Sequence, residues 1–340
     1  MWQSAGQTRA VSLLQRSLAK GLLAHAYLLV GPPRVGKMTL AMDLARALNC
    51  AAAEPPCGEC VSCQRVAAAK HPDVQLIGLP AGDNSVEKTR IEISIEQIRD
   101  LQHTANLPPF EGKYKVFIIN GAELLSNEAA NCLLKTLEEP ASQVVFILLT
   151  TNDRLLPATV VSRCQRLELR PLAANEVESA LGKRGIEPAK ARLLARLSRG
   201  CLGWAIAAAA DDSLLDARAE KIDRLLNIVR ADYDERFVQA GQLASQFSQN
   251  RSAVLETLDL WRDWWRDLLL VKAGFGEGVT NIDRLAVLDE MAKSYDLPQA
   301  RMVINHIQAA GEQLKLNANP RLALEVLMLN IPAGSVVKYG

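Results

Sequence analysis

The stretch Ala26-Tyr27-Leu28-Leu29-Val30-Gly31-Pro32-Pro33-Arg34-Val35-Gly36-Lys37-Met38 decides the fold. Its first five residues are apolar and read as a buried strand, and Gly31 to Lys37 fits the pattern Gly-x4-Gly-Lys. The segment that follows carries Leu40, Leu44 and Leu48 at helical spacing. A strand that turns through such a loop into a helix is built to hold phosphate. Gly31 and Gly36 let the backbone wrap the anion, the helix N-terminus adds its dipole, and Lys37 would reach the outer phosphates. Such a loop permits ATP or ADP as its ligand.

Two parts of a hydrolytic site are missing around this loop. The residue after the lysine should be Ser or Thr, whose hydroxyl ligates magnesium, and here it is Met38. Thr39 lies about 100° further round the helix and is a poor substitute. The second buried strand, Lys115-Val116-Phe117-Ile118-Ile119, should present an Asp for magnesium and often a Glu that activates water. The chain continues instead Asn120-Gly121-Ala122-Glu123: Asn120 is uncharged, Gly121 has no side chain, and Glu123 falls two residues past the place of the base. Hydrolysis is not expected and the chain is not expected to be catalytic alone; Lys37 and the glycines permit a nucleotide to bind, and the sequence does not say whether one does.

Just beyond the phosphate-loop helix, Cys50, Cys57, Cys60 and Cys63 place four soft ligands in a segment bent by Pro55, Pro56 and Gly58. Spacing and residue type fit tetrahedral Zn²⁺ with every position filled by protein, hence a structural metal. Zinc-finger peptides gain on the order of 10–16 kcal/mol of folding free energy from such a site, enough to hold an insertion with almost no core. His71 reads as a surface histidine, with an outer-shell role as the alternative; Cys132 and Cys201 read as core or near-core thiols.

Further out, helical and strand-like segments alternate to about residue 170, with strand candidates at Ala26–Val30, Val74–Leu79, Val116–Ile119, Val144–Leu149 and Arg166–Leu169, which predicts a largely parallel sheet. Ser94 with Gln97 and Ser126 read as helix caps. Everything after Pro171 reads as helical, with four or five helices expected over 212–332 and Trp261, Trp265, Leu268 and Leu269 on one buried face. The 340 residues are 49% apolar, and 39 Lys and Arg nearly balance 38 Asp and Glu. That excludes a bulk positive field drawing the chain onto nucleic acid unaided. No apolar run is long enough to span a membrane and no secretion signal is read, so a cytoplasmic protein is expected.

The phosphate-loop strand, the four-cysteine insertion directly after its helix, and the stretch Asn131-Cys132-Leu133-Leu134-Lys135-Thr136-Leu137-Glu138-Glu139-Pro140 together resemble the bacterial DNA polymerase III clamp-loader AAA+ family. The resemblance implies an α/β plus all-α fold: an AAA+ phosphate-loop domain with parallel sheet and zinc-binding insertion over 1–170, a small helical lid over 171–210, and a C-terminal helical collar over 211–340. It also implies a hetero-pentamer with motor (gamma/tau) and delta subunits that sets a sliding clamp on primer-template DNA. Met38, Asn120 and Gly121 resemble the non-hydrolysing, delta-prime type rather than a motor. The family's lid arginine belongs near Gly200-Cys201-Leu202-Gly203-Trp204-Ala205, where this chain has none. Ser162-Arg163-Cys164 is similar to the motif by which one subunit offers an arginine to its neighbour's ATP, which makes Arg163 the expected catalytic residue in trans. Thr151 and Asn152 mark either the family's nucleotide-sensing strand end or simple capping groups.

A purely structural scaffold with a dead nucleotide site differs from this reading only in Arg163, and two further rivals stay open on sequence. One is an active motor with unusual motif residues. The other is a zinc-dependent nucleic-acid-binding module, against which stands the lack of any Lys or Arg between Cys50 and Cys63.

Overall fold

Strand β1 (Ala26–Val30) is buried at every residue because it runs between two parallel neighbours with helices on both faces. The structure is a computed structural model and describes residues 2–79 and 92–332. It divides into two compact units, Met1–Ala180 with Gly200–Trp204, and Leu181–Arg199 with Ala205–Gly340.

In the first unit the strands β1, β2 (Val74–Ile77), β3 (Lys115–Asn120), β4 (Val144–Thr150) and β5 (Gln165–Glu168) form a parallel sheet in the order β2-β3-β4-β1-β5. Register is set by pairs such as Ala26 with Phe146 and Val116 with Val145. Side chains alternate between faces, so each strand feeds two cores. Tyr27, Leu29, Val116, Ile118 and Ile147 join α1 (Thr8–Lys20) and α2 (Lys37–Asn49) on one face. Leu28, Phe117, Ile119, Phe146 and Leu148 join α4 (Ile95–Ala105) and α5 (Asn127–Glu138) on the other. Leu40, Leu44 and Leu48 are all buried, each contributing about 1.5–3 kcal/mol of transfer free energy. The helix α3 (Val61–Ala67), capped by Cys60 and carrying Cys63, precedes β2, and α6 (Ala158–Val161) precedes β5. β2 ends at Ile77 rather than Leu79.

The caps behave as their residue types dictate. Ser126 accepts from the Ala129 N–H at 3.1 Å and α5 stops before Pro140, while Gln97 Oε1 accepts from the Ser94 N–H at 3.1 Å. His71 is buried, contrary to its reading as a surface residue: its Nδ1 accepts the Asp73 N–H at 3.1 Å. Cys132 is half-buried and its thiol faces Gln102 Oε1 at 3.1 Å.

Helices α7 (Ala174–Gly182) and α9 (Leu202–Ala210) lie across the chain boundaries of the units, and α8 (Pro188–Leu197) belongs to the second. Beyond them come α10 (Ser213–Arg230), α11 (Tyr233–Gln249), α12 (Arg251–Lys272), α13 (Leu285–Ser294), α14 (Leu297–Lys315) and α15 (Pro320–Asn330). That is six α-helices among the described residues instead of four or five; 333–340 lie outside them. The breaks are short because single caps make them: Asp232 accepts from the Glu235 N–H at 2.9 Å and Asn250 from the Ala253 N–H at 3.1 Å.

Trp261, Trp264 and Trp265 of α12 are fully buried with Leu268, and Leu269 packs at the edge of this core. Trp261 Nε1 donates to the Lys221 carbonyl at 2.8 Å, and Trp265 meets Tyr295 edge-on at 5.0 Å. Arg236, 1% exposed, donates to the carbonyls of Ile228, Val229, Ala231, Met328 and Ile331, closing the C-terminal ends of α10 and α15 with one cation. Among the described residues no helix is long and apolar enough to cross a membrane.

Candidate functional site

The C-terminal ends of β1, β3 and β4 gather the phosphate-loop residues. Gly31 closes β1 with its N–H on the Thr150 carbonyl at 3.2 Å, and Gly36 leads into α2 with φ 110°. Lys37 is folded back on its own loop: its Nζ donates to the carbonyls of Gly31 at 2.5 Å and Pro32 at 2.8 Å. Burial pushes its ammonium below the usual lysine value, opposed by the Glu123 carboxylate and the Cys201 thiol. A phosphate would have to take those two hydrogen bonds in exchange. Met38 is half-buried and packs against the apolar core beside α2, in the place of a magnesium-binding hydroxyl.

The opposite wall carries no acid at the ends expected of a hydrolase. Asn120 is exposed at the end of β3, and Gly121 follows with φ 79° and ψ 52°. Glu123 sits in a 3-10 turn and its Oε1 accepts both the Thr151 N–H at 3.1 Å and the Thr151 hydroxyl at 2.6 Å. This pair, which bridges the ends of β3 and β4, was not legible from spacing. Asn152 caps the next turn, accepting the Arg154 N–H at 3.0 Å. On the far side of the loop, the Gly203 N–H donates to the Arg34 carbonyl at 3.1 Å. The segment where a lid arginine is absent therefore lies directly on the phosphate loop.

Arg163 follows α6 and makes none of its contacts with that loop. Its Nη1 donates to the Thr159 carbonyl at 2.9 Å and approaches Ser162 Oγ at 3.5 Å, while Nη2 pairs with Glu138 Oε1 at 2.6 Å. The side chain is 35% exposed. It can present a planar, permanently charged donor set to an anion outside this chain. Glu138, the last residue of α5, is the partner that sequence reasoning missed. The one available signal was an acid at a helix C-terminus, where the backbone dipole disfavours it.

Cys50, Cys57, Cys60 and Cys63 bring their sulfurs within 4.8 Å of one another. Individual Sγ pairs lie at 3.6 Å (Cys50 and Cys57), 4.0 Å (Cys50 and Cys60) and 3.9 Å (Cys57 and Cys63). A tetrahedron with Zn–S bonds of about 2.3 Å has sulfurs roughly 3.8 Å apart, so the four residues fit a metal ion such as zinc. Backbone N–H groups of Ala52, Cys57, Cys60 and Cys63 aim at the sulfurs at 3.3–3.5 Å, as thiolates require. The Cys60 and Glu59 N–H groups lower the Cys57 thiol to about 6, whereas burial raises Cys63 to about 12. The module is tied to the main domain by Lys113 Nζ on the Cys50 carbonyl at 3.4 Å and by Arg65 Nη1, which donates to both carboxylate oxygens of Glu111 at 2.8 Å.

Residues 6–173 match the family described as DNA polymerase III, delta subunit. The chain is 30% identical to DNA polymerase III subunit delta' of Bacillus subtilis, over 96% of this chain and 97% of that protein. It is 27% identical to subunit tau of the same organism over 96% of this chain, and spans 60% of tau's length. A solved DNA polymerase III gamma subunit-related protein of Thermotoga maritima aligns with a TM-score of 0.47 and 16% identity, over 95% of this chain and 98% of that one. With full-length similarity to a delta' subunit, a parallel-sheet phosphate-loop fold and a four-cysteine module after the loop helix, this chain belongs to the delta-prime branch of the bacterial DNA polymerase III clamp-loader AAA+ family.

Proposed function

We propose that this chain is a non-hydrolysing clamp-loader subunit that completes a neighbour's ATPase site with Arg163. The observation that carries the reading is a division of labour. Met38, Asn120 and Gly121 stand where the chain's own magnesium ligands and base would be, while Arg163 stands half-exposed on another part of the domain. A guanidinium supplied in trans stabilises the charge on a transferring γ-phosphoryl and is worth roughly 10³–10⁵ in rate. The assembly is a hetero-pentamer with motor (gamma/tau) and delta subunits, acting on a sliding clamp and primer-template DNA in the cytoplasm. Within the chain, 1–170 is the AAA+ domain, 171–210 the lid and 211–340 the collar through which subunits associate. Gly31, Gly36 and Lys37 retain ATP or ADP without turning it over, and Cys50, Cys57, Cys60 and Cys63 hold a structural zinc.

The test uses the purified chain and the reconstituted complex. The chain alone is expected to show no magnesium-dependent ATP turnover, and Arg163→Ala in the complex to remove the turnover of one motor site while assembly persists. Turnover by the chain alone that Lys37→Ala abolishes would show a motor instead. Unchanged complex turnover with Arg163→Ala would overturn the role of Arg163.

A further inference from the structure

Arg163 does not stand free at the surface. Its Nη2 is held at 2.6 Å by Glu138 Oε1 and its Nη1 by the Thr159 carbonyl at 2.9 Å. The side chains are 35% and 50% exposed, so this pair is a surface ion pair of the kind that contributes little to folding. Apolar residues hold the surrounding elements together instead: Leu133 and Leu137 of α5 and Val160 of α6 are buried in one core. Glu138 is also the last residue of α5, where the helix dipole opposes a negative charge. Neither stability nor helix capping accounts for a carboxylate at that place.

The same Nη donors that Glu138 and Thr159 occupy are those a phosphate would engage bidentately. Paired with Glu138, the guanidinium presents almost no net charge; released from it, a full positive charge. A triphosphate carries more charge than a carboxylate and outcompetes it only once it is brought within contact distance. Until then the Glu138 charge both occupies the donors and repels approaching phosphates.

We propose that Glu138 is a latch on Arg163: a positioning residue that competes with the neighbouring subunit's triphosphate for the guanidinium and holds turnover low until the interface closes. The inference rests on the reading of Arg163 as an arginine offered in trans, and its test keeps the two separable. The complete clamp loader is reconstituted with the wild-type chain, Glu138→Gln, Arg163→Ala and the double variant. ATP turnover is then measured against ATP concentration, with and without clamp and primed DNA. Glu138→Gln is expected to raise unstimulated turnover roughly two- to fivefold, the range an exposed ion pair permits, and to lower KM for ATP. Fully stimulated kcat stays within about twofold, because the latch is already open there. The double variant behaves as Arg163→Ala alone. A merely structural role would lower both stimulated and unstimulated turnover in Glu138→Gln. That result, or no change, overturns the latch while a loss in Arg163→Ala leaves the trans arginine standing. If Arg163→Ala itself has no effect, the reading beneath the latch fails and the latch with it.

Discussion

Gly203 and Arg34 meet backbone to backbone: the Gly203 N–H donates to the Arg34 carbonyl at 3.1 Å, and a Cβ at 203 would sit 2.7 Å from that same oxygen. Only glycine fits this approach. The phosphate loop and the segment 200–204 are thereby held as one piece, and the lack of a lid arginine there has a steric as well as a chemical side.

A substitution at Gly203 therefore has to break the contact. Alanine gains about 1 kcal/mol of helix propensity near the start of α9, but the clash is with a main-chain oxygen that cannot rotate away. We expect Gly203→Ala to lose about 1–2 kcal/mol net and Gly203→Arg more, each lowering Tm by several degrees. Thermal unfolding of the full chain checks this, and a Gly203→Ala protein as stable as wild type would mean the loop yields.

Removal of metal from the cysteine module should unfold it locally without melting the sheet. The expected result of chelation is loss of one zinc per chain by atomic absorption, with new proteolytic cleavage between Cys50 and Cys63 and unchanged far-ultraviolet signal from the rest. Cys57→Ser should act in the same direction. The pH dependence has a definite sign. The Cys57 thiol is depressed to about 6, chiefly by the Cys60 N–H. The contribution of its thiolate is thus complete above the ordinary thiol value of about 8.5 and is lost as pH falls through about 6 in the metal-free chain. Bound metal extends the folded range to lower pH.

How much of this was legible follows from where each signal lies. Gly31, Gly36 and Lys37 with Leu40, Leu44 and Leu48 were readable because strand, loop and helix are contiguous, and local pattern dictates local structure. The four cysteines were readable for the same reason. Arg163 was found through a three-residue motif, but its partner Glu138 lies 25 positions away and no periodicity links them. The Glu123–Thr151 pair, formed where two parallel strands end side by side, is likewise a product of sheet order. His71 looked like a surface residue because its burial is a tertiary effect: its Nε2 lies 3.7 Å from Glu111 Oε1, forty positions away, in the loop 110–112. In the helical half, Asp232 and Asn250 are single-residue breaks that charged neighbours conceal.

Asp73 is the anchor of that loop. Its carboxylate accepts from the N–H groups of Phe110 at 2.7 Å, Glu111 at 2.9 Å and Gly112 at 2.8 Å, and it is 3% exposed. Burial pushes its pKa up, but the three N–H donors together outweigh burial and hold it below the usual carboxylate value. A depressed pKa means stability present in full above about pH 4 and lost as pH falls through the folded value. Asp73→Asn should cost about 2–3 kcal/mol at pH 7, since the amide replaces one acceptor oxygen with a donor facing N–H groups. In urea unfolding the gap between wild type and variant should narrow near pH 3; a gap that stays constant would mean the charge of Asp73 is not what holds the loop.

Restoring the expected acids as Asn120→Asp with Gly121→Glu places a side chain at a residue with φ 79° and ψ 52°, left-handed backbone that costs a non-glycine about 1–2 kcal/mol. Its Cβ would also lie 3.1 Å from Leu124 Cδ1. The 3-10 turn that follows holds Glu123 against Thr151, so relaxing the backbone at 121 would pull on that pair as well. Met38 still fills the hydroxyl position with a side chain that packs into the core, and Lys37 still spends its donors on Gly31 and Pro32. The double variant is therefore expected to be about 1–2 kcal/mol less stable by denaturant titration and to gain no magnesium-dependent turnover. Adding Met38→Thr supplies the missing hydroxyl but opens a gap where the thioether packed, so it should lower stability further before it restores any metal site. Measurable ATP turnover by either variant would show that the loss of chemistry rests on those side chains alone, and that the backbone at Gly121 adapts when an acid is returned to it.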